Sequence, residues 1–164
     1  MDAIDRLLAE HSQHRRLVAE LEAALGRPSV HEVGWNDCAG CDFKRFKEIH
    51  RELRERVLDH ERREELLLKE ALELLEGGAD AGRMLEKRHG GVNDLLRLLA
   101  SVAELYDGSH LHPLRTVVAR VREELDSHHE FEEKELFPRL RRDLRPGDME
   151  RLARRYEEAA AEGR

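Results

Sequence analysis

Apolar residues recur at intervals of three and four along five segments of the chain, and no segment shows the period of two typical of a strand. This pattern predicts helices at about residues 2–25, 42–76, 81–106, 113–144 and 148–162. The helices are separated by the stop signals Gly26-Arg27-Pro28, Gly77-Gly78, Gly108-Ser109 and Pro146-Gly147. Asp148 is the expected N-cap of the last helix, and Pro138 is expected to kink the fourth. The sequence therefore predicts an all-α fold, an up-down-up-down four-helix bundle with a short C-terminal fifth helix.

The length of 164 residues favours a single domain spanning residues 1–164. Most of the connectors are short, and none has the composition of an inter-domain linker. The longest connector, residues 29–41, holds the only tryptophan, Trp35. We expect the fifth helix to pack on the outside of the bundle or to mediate contacts.

The composition excludes several classes of protein. Hydrophobic residues make up 40% of the chain, too many for a disordered acidic segment. The net charge of −7 argues against a nucleic-acid partner, which selects for a clustered positive face. No apolar run approaches the length of a membrane span, and the first residues lack the apolar core of a secretory signal. We expect a cytoplasmic protein without membrane or nucleic-acid partners, whose oligomeric state the sequence leaves open.

The ten histidines are the compositional anomaly, and part of the excess follows an internal repeat. His60 and Glu64 of the second helix recur as His128 and Glu132 of the fourth. The first and third helices also match each other around His11 and His89. The bundle is therefore expected to consist of two similar helical hairpins, each with one lone histidine and one His-x-x-x-Glu pair.

The repeated pairs have a spacing that suits a metal site. Residues four apart on a helix differ by about 40° in direction, so His60 and Glu64 can converge on one point, as can His128 and Glu132. Leucines and valines flank both pairs, which places them on inward faces. Unpaired imidazoles and carboxylates are costly in a dry core, and a bound dication removes that cost. A single such pair is weak evidence, but two in register with two lone histidines favour a metal centre.

At these residues the chain resembles the hemerythrin-like (HHE cation-binding) family. The matching segments are LLAEHSQHRRL with His11, LDHERREELLL with His60 and Glu64, EKRHGGVNDLL with His89, and LDSHHEFEEKELFPRL with His128 and Glu132. The last segment, which ends in Leu-Phe-Pro, is the most specific. The resemblance covers about residues 2–144.

The resemblance implies a bundle that holds two non-haem iron ions, although manganese or zinc could take their place. Glu64 and Glu132 would bridge the ions, and His11, His60, His89 and His128 would each ligate one of them. The implied function is binding or sensing of O₂ or a related small molecule such as NO or peroxide. A redox enzyme that removes peroxide or oxidises ferrous iron is the alternative, and a metal-free helical interaction module is a third hypothesis. No catalytic residue is assigned.

One position departs from the oxygen-carrying members of that family. They have a second histidine four residues after the one on the third helix, and here that position is Asn93. Water, Asn93 or another carboxylate would fill the gap. Glu61 is a candidate, although its direction, about 100° from His60, favours a surface role. Fewer imidazoles favour sensing, redox chemistry or iron handling over oxygen transport.

Several neighbours of the predicted ligands have competing interpretations. His14 is either a buried histidine with one hydrogen-bond partner or a participant in the metal site. His129 is expected to point away from His128 into solvent. Glu133 is an alternative to Glu132, because other hemerythrins use the longer spacing. The remaining histidines are expected to be surface or capping residues, namely His31, His50, His110 and His112.

Two further motifs lie beside these residues. Gly90-Gly91 indicates either a locally weak helix or space for a small ligand. Cys38 and Cys41 form a Cys-x-x-Cys motif in the connector, which suggests a reversible disulfide, half of a zinc site completed by His31 or by another subunit, or incidental thiols.

Overall fold

The computed structural model describes residues 2–26, 41–73, 75–106 and 111–162. Its helices are α1 (Ala3–Ala24), α2 (Phe43–Glu73), α3 (Gly78–Glu104), α4 (His112–Phe131), α5 (Phe137–Asp143) and α6 (Pro146–Glu162). A π-helical segment, Glu132–Leu136, joins α4 directly to α5, so these three segments form the fourth helix of the bundle. No strand occurs among the described residues. His31, Cys38 and His110 lie outside them, and the predictions for these positions stay predictions.

The predicted all-α bundle is confirmed, and its helices pack in sequence order. α1 packs on α2, α2 on α3 and α3 on α4, and α4 returns to α1. Across the described ranges, no helix is long and apolar enough to cross a membrane.

Local sequence accounts for the ends of α1. Asp2 accepts a hydrogen bond from the backbone N–H of Asp5, and the Asp5 carboxylate accepts one from the backbone N–H of Asp2, which forms a capping box. Past the other end, Gly26 adopts the left-handed conformation at φ 70°. Glycine carries little penalty there, so the predicted stop signal acts as expected.

The turn between α2 and α3 depends on two adjacent glycines. Gly77 has φ 67°, and a side chain on Gly78 would collide with the carbonyl group of Leu72. α3 begins at Gly78, earlier than the predicted start near residue 81. The missing side chains therefore allow a close approach between the end of α2 and the start of α3.

Two apolar clusters fill the bundle, and a polar layer separates them. The first core lies toward the C-terminal end of α1 and includes Leu21, Leu53, Leu99 and Val121. The second core lies toward the N-terminal end of α1 and includes Leu7, Leu68, Leu85 and Leu140. Between the cores, the buried polar residues are His11, His14, His60, Glu61, Glu64, His89, His128, His129 and Glu132.

The π-helical segment explains how Pro138 is accommodated. Proline lacks a backbone N–H, and its ring clashes with the carbonyl four residues earlier in a regular helix. The backbone N–H of Phe137 instead donates to the carbonyl of Glu132 five residues back, which widens the turn immediately before Pro138. The distortion expected near Pro138 thus takes the form of a π bulge, which begins within the polar layer at Glu132.

The C-terminal helix α6 packs against α1 and α2 and buries Leu152 and Tyr156 in the second core. It begins at Pro146, so the expectation that Asp148 is its N-cap is wrong. Proline suits the first turn of a helix. Asp148 lies within that turn, where its negative charge interacts favourably with the positive end of the helix dipole.

Candidate metal centre

The structure brings all six predicted ligands into the polar layer. Each of the four bundle helices contributes at least one of them, and none is more than 4% exposed. The six are His11 of α1, His60 and Glu64 of α2, His89 of α3, His128 of α4 and Glu132 of the π-helical segment. Positions far apart in sequence thus meet on one level of the bundle.

Each of the two carboxylates lies between histidines of different helices. One oxygen of Glu132 is 2.9 Å from His11 Nε2, and the other is 3.0 Å from His128 Nε2. Glu64 Oε2 is 3.2 Å from His89 Nε2 and 3.8 Å from His60 Nε2. Each carboxylate is therefore close to imidazoles from two helices.

Ligand atoms of four residues are especially close together. One atom each of His60, Glu64, His128 and Glu132 lies within 4.8 Å of all the others, and all four residues are buried. The imidazole nitrogens and carboxylate oxygens they offer suit first-row transition metals such as iron, manganese and zinc.

The hydrogen bonds of His11 and His60 determine their tautomers. Nδ1 of His11 is 2.9 Å from a carboxylate oxygen of Glu133, and Nδ1 of His60 is 2.8 Å from one of Glu10. A carboxylate only accepts, so both Nδ1 atoms carry the proton. The Nε2 atoms of the two rings lie 3.3 Å apart. Two imidazole nitrogens this close together suit a common cation as their ligand.

Other buried atoms of the layer have no hydrogen-bond partner among the described residues. They include Oε1 of Glu64, both carboxylate oxygens of Glu132, and both ring nitrogens of His128. The 3.0 Å approach of His128 to Glu132 lacks the alignment of a hydrogen bond. Unpartnered buried polar atoms are costly, so a bound dication fits this set of donors.

Burial also shifts the ionisation of these groups. Burial raises the pKa of Glu132 to about 7, and burial together with the neighbouring Glu132 carboxylate raises the pKa of Glu64. Burial lowers the pKa of His128 to about 3. Burial opposes the charged form of His89 as well, but the hydrogen bond to Glu64 and the negative charges of Glu64, Glu61 and Glu132 together outweigh it and raise the pKa to about 9.

These shifts predict that acid weakens metal binding. Near pH 6 the Glu132 carboxyl is mostly protonated and His89 is charged, so an incoming dication must displace both protons. At pH 8 Glu132 is already ionised, so its proton no longer has to be displaced. We expect the affinity for a divalent ion to rise from pH 6 to pH 8. Calorimetric titration in buffers of different ionisation enthalpy measures both the affinity and the protons released, and an affinity independent of pH would contradict this.

Glu133 lies outside the close group of candidate ligand atoms that contains Glu132. Its carboxylate contacts the outer nitrogen of His11 and accepts a hydrogen bond from Arg15 Nη2 at 2.7 Å. The same imidazole therefore touches Glu132 through Nε2 and Glu133 through Nδ1. The wide π turn is what places both adjacent carboxylates against α1.

The expectation that His129 faces solvent is wrong, because its side chain is fully buried. Its ring stacks on His11 with centroids 4.0 Å apart, and its Nε2 is 3.4 Å from His14 Nδ1. The inward stripe of a core helix is at least about 100° wide, so it can hold two consecutive residues. His14 is buried as well, and besides its contact with His129 it forms a hydrogen bond with the backbone of Arg56.

Two further expectations of surface positions are wrong. Glu61 is only 5% exposed and accepts a hydrogen bond of 2.7 Å from Asn93 Nδ2, because its side chain extends toward α3. Its other oxygen, Oε1, is buried without a partner. His50 is also buried, and its Nε2 donates to the carbonyl of Leu96 at 3.1 Å. His112 is exposed, as expected.

The glycine pair lies inside α3, which continues through both positions. A side chain on Gly91 would approach the Glu124 carboxylate at 3.0 Å, whereas one on Gly90 would meet no atom within 4 Å. Gly91 therefore permits close packing between α3 and α4. Space for a ligand at this pair stays a prediction.

Sequence reasoning missed a set of residues behind His60. Glu10 accepts hydrogen bonds from His60, from Arg63 Nη2 at 2.8 Å and from the Tyr156 hydroxyl at 2.5 Å. These hydrogen bonds hold the pKa of Glu10 at about 2 despite its burial. The tyrosine comes from α6, so the C-terminal helix reaches the candidate site through one carboxylate. The sequence carries no local signal for this contact.

Comparison with known families gives one result. The family model of the hemerythrin HHE cation binding domain matches residues 2–107 and again residues 80–163, and the two ranges overlap along α3. Searches of curated proteins and of solved structures found no match.

Proposed function

Because the chain belongs to the hemerythrin HHE cation-binding domain family, we propose that it is a non-haem di-iron protein that binds or senses O₂ or a related small molecule such as NO or peroxide. The observation that carries this proposal is the 3.3 Å approach of His11 Nε2 and His60 Nε2 in a buried layer, beside Glu132 oxygens that have no hydrogen-bond partner among the described residues. An ion with open coordination positions supplies reversible binding of such molecules when it is present.

The proposed ligands divide into two groups. His11 and His60 hold one ion, and His89 and His128 hold the other. Glu64 and Glu132 bridge the two ions, a role supported by the short distances from each carboxylate to histidines on different helices. The two cores on either side keep bulk water away from these residues.

We assign Glu61 to the place of the imidazole that Asn93 replaces. The Asn93 amide donates to Glu61 Oε2 and so orients the carboxylate, while Glu61 Oε1 stays buried and unpartnered. Glu61 adjoins His60 in the chain and lies toward the His89 side of the layer. The ion on the His89 side would then have a carboxylate oxygen as a ligand in place of an imidazole nitrogen.

A cleft beside the centre offers a route for a small ligand. It has a volume of about 570 Å³ and lies between the C-terminal half of α2 and the start of α3. Leu68 and Leu85, which line it, are each one helical turn from a proposed ligand, Glu64 and His89 respectively. Two leucine side chains thus separate this cleft from the ions.

Anaerobic loading with ferrous iron tests the proposal. We expect about two iron ions per chain by elemental analysis and a change in visible absorption when O₂, NO or peroxide is added. A chain that retains no iron would refute the metal site and favour the helical interaction module. A binder saturates near one equivalent of ligand per site, whereas continued consumption of many equivalents of peroxide or ferrous iron would favour the redox enzyme.

Changing Glu61 to Gln tests the assigned replacement ligand. The side chain keeps its size but loses the charge that a dication requires, so we expect the affinity for one of the two ions to fall about 10-fold or more. Glu55→Gln, at an exposed position of the same helix, is the matched control and should leave both affinities unchanged. Equal affinities in the Glu61→Gln variant and the unaltered chain would exclude Glu61 as a ligand.

A further inference from the structure

The two histidine pairs of the proposed centre differ in what holds their outer nitrogens. Nδ1 of His11 is 2.9 Å from Glu133, and Nδ1 of His60 is 2.8 Å from Glu10. Ligating histidines are oriented, and made more basic, by exactly this kind of carboxylate contact on the nitrogen that does not bind the metal. Both members of the His11–His60 pair are therefore fixed in direction and tautomer.

The carboxylates behind that pair are themselves held by cations and a phenol. Arg15 donates to Glu133 at 2.7 Å, and Arg63 donates to Glu10 at 2.8 Å. Tyr156, which is 7% exposed, donates to the same oxygen of Glu10 at 2.5 Å. The guanidinium group of Arg63 also lies 5.8 Å from the centre of the Tyr156 ring. The contact from α6 thus helps to hold Glu10 in place, and Glu10 in turn orients His60.

The His89–His128 pair lacks comparable support. Nδ1 of His128 and Nδ1 of His89 are both buried without a hydrogen-bond partner among the described residues. The nearest carboxylate to His89 Nδ1 is that of Glu65 at 3.5 Å, and the Glu65 side chain is 61% exposed. Among the described residues, packing and inward contacts position these two rings, and the exposed Glu65 is the one carboxylate near an outer nitrogen.

From this difference we infer that the two metal positions are unequal: the ion at His11–His60 is retained, the ion at His89–His128 exchanges, and Tyr156 of α6 is a positioning residue for the retained ion. The inference rests on the proposed two-metal centre. Loss of a supporting contact behind a histidine ligand weakens metal binding about 10- to 100-fold, so one position is expected to release its ion well before the other. Such a protein fills its positions in sequence as metal becomes available.

A chain of contacts connects the C-terminal helix with the ion proposed at His11–His60. The Tyr156 hydroxyl and Arg63 fix Glu10, and Glu10 holds His60 with Nε2 directed into the centre. Removing the hydroxyl takes away one of the two donors that fix Glu10, so its carboxylate holds His60 less firmly, while the position of the tyrosine ring stays filled. Position His89–His128 has no link to α6 through such a chain of contacts among the described residues.

A chelator chase on the full chain tests the inference. The protein is loaded anaerobically with two equivalents of ferrous iron. A ferrous chelator is then added in excess, and the absorbance of the iron–chelator complex measures the release of iron. We expect two phases of about one ion each. In Tyr156→Phe and in Glu10→Gln the slow phase should accelerate about 10- to 100-fold, and the fast phase should keep its rate.

Two control variants separate this effect from general loosening. Glu157→Gln removes the ion pair between Arg6 of α1 and Glu157 of α6 without touching Glu10. Tyr106→Phe alters the other tyrosine, which packs beside Phe43 next to the first core. Both should retain the unaltered release curve, and melting temperatures show whether each variant is folded. If Tyr156→Phe fails to fold, Glu10→Gln carries the test alone.

The outcomes distinguish this inference from the proposed function. A single release phase for both ions, or equal acceleration of both phases in Tyr156→Phe and Glu10→Gln, would overturn the inference while leaving the di-iron proposal standing. A chain that takes up no iron would instead refute the proposed function. Acceleration confined to the slow phase in both variants would support the unequal positions.

Discussion

Replacing His60 by alanine is expected to remove one iron ion from the chain and to lower the affinity for that ion at least about 100-fold, more than the loss of a supporting contact. His60 Nε2 lies 3.3 Å from His11 Nε2, and its other nitrogen is fixed by Glu10, so no neighbouring imidazole of α2 can take its place. Elemental analysis after anaerobic loading and desalting measures the remaining iron. His128→Ala should likewise lose the ion shared with His89.

The control for both variants is His112→Ala, which removes an exposed imidazole at the start of α4. It should keep about two ions per chain. Circular dichroism establishes that each variant is helical. Full iron content in both His60→Ala and His128→Ala would contradict the ligand assignment, whatever the behaviour of the control.

Replacing Glu132 by methionine is expected to have opposite effects on metal binding and on the metal-free fold. The carboxylate is fully buried, both of its oxygens lack a hydrogen-bond partner among the described residues, and burial raises its pKa to about 7. An apolar side chain of similar length removes that desolvation cost, which is about 1–3 kcal/mol for an unsatisfied buried polar group. The metal-free variant should therefore unfold at higher denaturant concentration than the metal-free parent chain at pH 8.

Iron should reverse the order of stability. A ligand that binds only the folded chain adds stability in proportion to the logarithm of its concentration over its dissociation constant, and the variant lacks the proposed bridge. Glu135→Met, at an exposed position in the same π-helical segment, is the matched control and should change stability by no more than about 0.5 kcal/mol. A metal-free Glu132→Met protein less stable than the parent would show that the buried carboxylate supports the fold itself.

The helical pattern predicted the architecture because the determinants are local. Spacings of three and four define the buried stripes, and glycine and proline at the ends of each stripe interrupt the helix. The internal repeat then indicated the six inward residues. The pairs His60–Glu64 and His128–Glu132 are costly to bury on apolar stripes unless they bind a common partner such as a metal ion. The family match supports the cation-binding nature of the domain, and the role of each ligand stays a prediction.

The predicted exposure of Glu61 and His129 is wrong for one geometrical reason. Each residue directly follows a predicted ligand, and a rotation of about 100° from an inward position suggests a side chain that faces solvent. In the bundle that rotation directs Glu61 toward Asn93 of α3 and His129 toward His14 of α1. A sequence reports the angle between neighbouring side chains, whereas the width of the buried stripe depends on how closely the other helices pack.

Contacts between distant segments were beyond reach of the pattern. Glu10 precedes His11 on α1, and Tyr156 belongs to a helix outside the repeated hairpins, so no spacing connects them. The proline at position 138 indicated a distortion of the fourth helix but not its form. The π turn resolves the choice between Glu132 and Glu133 only when the position of His11 across the bundle is known.

The polar layer between the two cores also determines how the chain opens. Apolar contacts hold the four helices together above and below the layer. Within the layer, several described buried atoms of the metal-free chain lack hydrogen-bond partners, so these residues stabilise helix packing little. Each end can therefore unfold locally without the other, and backbone amides of the two cores are expected to exchange with solvent at independent rates. Ions that join ligands from all four helices couple the ends, so metal loading turns two weakly linked cooperative units into one.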